Sequence, residues 1–302
     1  MAVSNLLLLA ALAAEPDYVY ERAGNQDDVQ TAVQGGAVLM GGGKDVAEAF
    51  AWMIGRSGNG DFLVLRAAGT PAYNAFVLQQ GPANSAATLI LKTREASSDP
   101  FVLERVRQAE AIFLAGGDQW NYIRLWRGTP LAKVLQDRID AGVPIGGTSA
   151  GLAVLGQHYF SAEHDTVTSA VALADPFDAK VTLGDGFLRV PHLGGLITDS
   201  HFMARRREGR LLAFMARLNC RGLGIDEATA VLLEPNGQAR VAGRNHAHFY
   251  AASRKPKAMK PLEFEAVKVV RVAAGGTFNF ARWKGEADAQ TVSVKAGAIL
   301  EP

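Results

Sequence analysis

The 302-residue chain is 48% apolar and 20% charged, enough to build a core for one large α/β domain or two modest ones. Its net charge of +1 excludes an overall field that would draw it to nucleic acid or to an anionic membrane, so any recognition of charge is local. A single cysteine, Cys220, excludes an intrachain disulfide and a thiolate metal site, and it reads as a small buried residue at a helix end.

Residues 6–14 are an unbroken apolar stretch, too short to span a bilayer. Ala11-Leu12-Ala13 has the small-x-small form of a signal-peptidase site, so residues 1–14 read as the remnant of a secretory leader. The location expected is secreted or periplasmic, with a cytoplasmic chain as the alternative. From there to about residue 224, short apolar runs alternate with helical patterns, as in a doubly wound parallel sheet. Ala37-Val38-Leu39-Met40 is the first predicted strand, ended by Gly41-Gly42-Gly43, and a helix follows over about 45–54. Strands at 62–65, 88–91 and 111–114 come next, the last running into Gly116-Gly117-Asp118-Gln119. A helix over 131–141 then leads through Val143-Pro144-Ile145 to Gly147-Thr148-Ser149-Ala150-Gly151. Past residue 223 the texture becomes β-rich, with strands near 230–233, 239–241, 247–250, 267–272, 277–280 and 291–294. The division expected is therefore a catalytic domain over 15–235 and a β-rich extension over 236–302 packed on it. A basic cluster, Arg254, Lys257 and Lys260, reads as a solvated loop, because no aromatic residues interleave with it.

G-x-S-x-G carries meaning only between a strand and a helix, and both patterns flank it here. That context makes Ser149 a nucleophile presented on a sharp turn. A hydroxyl needs a base to take its proton, and His201 is the best placed of six histidines, where a strand over 195–198 ends and an Arg-rich helix begins. His158 reads as packed on the helix after Ser149, and His246 and His248 as structural or exposed. No histidine pair has metal-ligand spacing with a partner carboxylate, so no metal is expected, and acyl-enzyme chemistry on a serine needs no cofactor. The carboxylate that orients the base could be Glu163, Asp165, Asp199 or one of Asp226-Glu227. Oxyanion charge would fall to the backbone N–H of Ala150 and to the Gly42 and Gly43 loop. Arg205, Arg207 and Arg210 follow His201 closely enough to capture a substrate carboxylate.

These pieces, together with Gly224-Ile225-Asp226-Glu227-Ala228-Thr229-Ala230, are similar in kind and order to the cyanophycinase and aspartyl dipeptidase group of serine peptidases. The resemblance covers residues 35–235. It implies a three-layer α/β/α domain with a mostly parallel sheet, akin to class I glutamine amidotransferases. It also implies Ser149 as nucleophile, His201 as base, and Gln119, Asp199, Arg205, Arg207 and Arg210 around the substrate. By the dipeptidase spacing Asp165 is the acidic member, with Glu163 as the alternate. Ser200 stands where cyanophycinases commonly have Gln, and Asp118 where they have Asn. The activity implied is an exopeptidase or isopeptidase cleaving beside an aspartyl residue, on a peptide or polypeptide partner, in a homodimer. The rival readings are an esterase of the α/β-hydrolase type and a non-catalytic binding member of the fold.

Overall fold

The computed structural model describes residues 16–256 and 258–300, so the leader expected over residues 1–14 lies outside the described residues. Five apolar runs become parallel strands, in the spatial order Ser85–Leu91, Asp61–Arg66, Ala111–Leu114, Ile145–Thr148 and Ala37–Met40. They are apolar along their length, rather than alternating, because both faces are covered. Val38, Met40, Phe62 and Val64 pack with the helices Ala47–Arg56 and Tyr73–Leu78 on one face. Ala37, Leu39, Leu63 and Leu65 pack with Pro100–Arg107, Gln119–Trp126 and Pro130–Asp140 on the other. The helices start where their caps dictate. Asp99 accepts from the N–H groups of Phe101 and Val102, and Thr129 accepts from Ala132, each directly before a proline that suits the first turn.

The one parallel sheet expected for the region up to residue 224 is instead divided between two sheets. The parallel core belongs to a ten-stranded sheet closed by antiparallel neighbours: Tyr18–Gly24 on one side, and Thr229–Leu233 followed by Gln238–Gly243 on the other. An eight-stranded sheet centres on the parallel pair Leu196–Asp199 and Arg221–Ile225. Twist accumulates across wide sheets, and splitting into two is one way to accommodate it. Strands beyond residue 236 divide between the two: Thr277–Asn279 joins the first, while His246–Ala252 and Phe264–Ala273 join the second. Residues 226–228 make the short passage from Arg221–Ile225 in one sheet to Thr229–Leu233 in the other. The site is built at that passage.

Two local expectations change. The helix after Ser149 is only Ala150–Ala153, and His158 opens a strand, His158–Phe160, rather than lying on a helix. Gly156 ends the run early, because the chain passes so close to Leu196 that a β-carbon there would lie 2.7 Å from its carbonyl oxygen. The arginines at 205–207 form turns ahead of the helix Glu208–Leu218, since His201 and Arg206 hold left-handed φ values of 47° and 50° that no right-handed helix accepts.

Glu110 precedes the strand Ala111–Leu114 and is 3% exposed, its Oε2 accepting the Asp61 N–H at 2.9 Å. Burial pushes its carboxyl up to about 7, with the charge of Asp61 adding to the effect. The folded chain therefore holds a proton there that the unfolded chain releases near pH 4.5, and stability falls as pH rises from about 4.5 through 7. Glu110→Gln keeps the acceptor and removes the charge. It should stabilise the protein by about 1–3 kcal/mol at pH 8 and change little at pH 4.5, measured by denaturant melts at the two values.

Candidate active site

Ser149 follows the strand Ile145–Thr148 with φ 53° and ψ −112°, a strained conformation held from both sides. The glycines of the motif are forced by contact. A β-carbon on Gly147 would lie 2.6 Å from the Gly151 carbonyl carbon, and one on Gly151 would lie 2.0 Å from the Leu114 oxygen. The turn is thus a stack of three backbones, and the hydroxyl projects from its crest. Ser149 Oγ lies 2.8 Å from His201 Nε2, and His201 Nδ1 lies 2.6 Å from Glu227 Oε1.

The acid at His201 is therefore Glu227, and Asp165 and Glu163 are not in contact with the imidazole. Asp165 is surface-exposed and pairs with Lys180 at 3.3 Å, and the Thr166 N–H, with that cation, holds its carboxyl below the usual range. Dipeptidase spacing pointed to the wrong acid because the Asp165 carboxylate is exposed on Lys180 and does not reach His201. Glu227 instead enters from the end of Arg221–Ile225, the strand next to the one that delivers His201. The signal available in the sequence was an acidic pair directly after a buried strand, at the same sheet edge as the base.

Gly42 lies beneath the imidazole: a β-carbon there would sit 2.6 Å from His201 Cε1 and Nε2. A β-carbon on Gly43 would press on Glu227 at 2.9 Å. The glycine loop thus lets base and acid close down on the backbone. The glycine whose missing side chain faces Ser149 is Gly116, where a β-carbon would lie 3.4 Å from Ser149 Cβ.

A cavity of about 430 Å³ is lined by Gly117, Gln119, Asp165, Arg205, Arg207 and Arg210 among others, and Gly117 directly follows the Gly116 that faces Ser149. The predicted substrate residues divide sharply within it. Arg210, 2% exposed, grips Asp199 with Nε at 2.7 Å and Nη2 at 2.6 Å. Arg207 Nη1 lies 3.3 Å from the same carboxylate and donates to the Ser200 carbonyl at 2.8 Å. Asp199, buried and engaged by both, is thus a strut of the wall rather than a group free for substrate, and Arg210 is bound to it. Gln119 Nε2 reaches the Phe160 carbonyl at 3.4 Å. Arg205 has no side-chain hydrogen bond or ion pair among the described residues, and its guanidinium is the cation on offer. Among the described residues, no group of three or more His, Cys, Asp or Glu side chains is placed to hold a metal ion.

Burial lowers the His201 pKa, the Glu227 hydrogen bond works against this, and the charges of Arg205 and Arg207 lower it further. The imidazole is thus neutral and able to accept a proton at neutral pH. Activity should fall on acidification through a limb below the ordinary histidine value. Arg205→Ala, which removes one of the opposing cations, should move that limb to higher pH in a kcat/KM profile. An unmoved limb would separate Arg205 from the base.

A serine hydrogen-bonded to a histidine that is itself held by a carboxylate, on a mixed α/β fold with two large sheets, defines a serine hydrolase. The family model for Peptidase family S51 matches residues 76–241, and the chain belongs to that family of serine peptidases. It is 30% identical to a cyanophycinase of Geminocystis herdmanii over 200 residues, covering 63% of this chain and 70% of that protein. It is 34% identical to a cyanophycinase of Synechococcus elongatus over 158 residues, 52% of this chain and 46% of that one. The chain thus spans most of the first relative and about half the length of the second. A solved peptidase from an acI-B1 actinobacterium superposes with a TM-score of 0.57 at 20% identity, covering 83% of this chain and 98% of its own, which shows a shared fold.

Proposed function

We propose that the chain hydrolyses a peptide or isopeptide bond next to an aspartyl residue through an acyl-enzyme on Ser149. The observation that carries this is the continuous hydrogen-bonded line from Ser149 through His201 to Glu227 at 2.8 and 2.6 Å. His201 Nε2 takes the hydroxyl proton as Oγ attacks the carbonyl carbon, then returns it to the leaving amine. Water repeats the sequence to release the acid. Glu227 fixes the Nδ1–H tautomer and balances the imidazolium. The oxyanion falls to the Ala150 N–H, with a second donor from the Gly116-Gly117 backbone, because a β-carbon on Gly116 would face Ser149 where those on Gly42 and Gly43 would face His201 and Glu227. Arg205, supported by Arg207, reads the carboxylate of the aspartyl substrate, and Gln119 faces the same cavity. We further read the covered parallel core as the three-layer, class I glutamine amidotransferase-like arrangement. The test is product release from β-Asp-Arg, isoaspartyl-Leu, α-Asp-Leu and a nitrophenyl ester, with Ser149→Ala in parallel. Cleavage confined to the aspartyl peptides and lost in the variant is expected. Cleavage of the ester alone, or an unchanged rate in Ser149→Ala, would overturn the reading.

A further inference from the structure

Base and acid stand on two segments with left-handed backbones. His201 has φ 47°, and Ala228, directly after Glu227, has φ 53°. Residues other than glycine hold such conformations only where their surroundings impose them. Part of the restraint is backbone: His201 N–H donates to Gly41 O at 2.7 Å, and Ala228 N–H to Gly42 O at 2.9 Å. The side chain common to both segments is Asp226, which neither the triad nor the substrate cavity uses. It is 7% exposed and precedes Glu227 in the chain. Its Oδ1 accepts the Met203 N–H at 3.1 Å, two residues past the base. Its Oδ2 accepts the His246 N–H at 3.3 Å and lies 3.2 Å from His248 Nε2.

His248 comes from the strand His246–Ala252, which lies antiparallel to Arg221–Ile225. It is 3% exposed, and its ring lies 5.1 Å from that of Phe202, the residue between the base and Met203. Among the described residues its Nδ1 has no hydrogen-bond partner, and the imidazole's hydrogen bond is to Asp226. Burial raises the Asp226 pKa, but His248 and the backbone N–H groups outweigh it and hold the carboxyl below the usual range, so the group is ionised at neutral pH.

We infer that Asp226 and His248 form a positioning pair that sets His201 and Glu227 at their mutual distance, with the Asp226 carboxylate tying the segment of the base to the segment of the acid and His248 holding that carboxylate in place. The pair touches no reacting atom and rests on the hydrolase reading of Ser149. Its effect is geometric, and misplacement of a catalytic group by about 1 Å can cost roughly 100-fold in rate.

The test uses His248→Phe, which keeps the ring against Phe202 and removes the donor, Asp226→Asn, and His248→Gln as the conservative variant. Two readouts need no knowledge of the substrate. One is the rate at which a fluorophosphonate labels Ser149 in the intact chain. The other is the far-downfield proton resonance of His201 Nδ1–H on Glu227, which Ser149→Ala should retain. His248→Phe and Asp226→Asn are expected to slow labelling by about 10- to 100-fold and to weaken or shift the resonance, with His248→Gln recovering most of both. KM for a cleaved peptide should stay near wild type, because the Arg205 side of the cavity is untouched. If Asp226→Asn fails to fold, His248→Phe carries the test. A folded His248→Phe that labels at the wild-type rate with an unmoved resonance would overturn the pair. A wild-type chain that resists labelling yet shows the resonance would instead overturn the hydrolase reading, and the resonance in the variants would still decide the pair. Absence of both labelling and resonance in wild type would overturn the two together.

Discussion

Glu227→Gln should lower kcat by about 10³- to 10⁴-fold while leaving KM near its wild-type value. Glutamine has almost the same volume, so the imidazole keeps a neighbour at Nδ1. It loses the negative charge that balances the imidazolium formed as Ser149 gives up its proton. It can also present an N–H₂ group to Nδ1, which would stabilise the tautomer whose Nε2 carries a hydrogen and cannot accept one. Substrate affinity rests on the other wall, with Arg205 and Arg207, and should be spared. The companion experiment is Asp165→Asn, which removes an exposed carboxylate paired with Lys180 across 3.3 Å; surface pairs of this kind contribute about 0–1 kcal/mol. Its kcat should stay close to wild type. A severe loss in Asp165→Asn with little effect in Glu227→Gln would return the acid's role to Asp165, and would mean that the Ser149–Asp165 loop rearranges on binding substrate.

That contrast shows where the sequence was legible. The parallel strands could be read at 37–40, 62–65 and 111–114 because burial on both faces leaves an uninterrupted apolar run. Ser149 could be read because a strand-to-helix turn this tight admits only glycine at 147 and 151, as the 2.6 and 2.0 Å hypothetical contacts explain. His201 followed from its place at a strand end. The acid depended on which strands are neighbours, and that is a property of pairing rather than of spacing. Leu196–Asp199 and Arg221–Ile225 lie side by side with Asp199 opposite Gly224, so residues far apart in the chain arrive at one edge. The division into two sheets was hidden for the same reason, since an apolar run does not say which neighbour it will choose. Asp199 reads in the sequence as a substrate-binding group or an orienting acid, and the structure instead pairs it with Arg207 and Arg210. Arg207 and Arg210 look like a cationic face in sequence, and only the turns at 201–207 aim both of them back at one carboxylate.

Breaking that arrangement should produce the largest loss of stability of any single change at the site. Asp199→Ala leaves the Arg210 guanidinium, 2% exposed, without the acceptor for its Nε and Nη2, and takes from Arg207 one of its anchors. Removing one member of a buried ion pair typically costs about 3–5 kcal/mol, because the remaining charge stays in a poorly solvating interior. The residual contacts of Arg210, from Nη1 to Thr166 Oγ1 at 3.1 Å and to the Val167 carbonyl at 3.3 Å, satisfy hydrogens but offer no opposite charge. The rings of Phe160 and Phe214, with centroids 5.1 and 5.9 Å from its Cζ, offset part of the loss through their π faces. Urea melts should therefore show a large drop in midpoint for Asp199→Ala. Arg205→Ala, which removes an exposed and unpaired cation, should stay within about 0.5 kcal/mol of wild type and express its effect in KM. If the two variants instead shared one phenotype, losing affinity with stability intact, Asp199 would be a substrate ligand, and the buried pair with Arg210 would be an arrangement that opens when the substrate arrives.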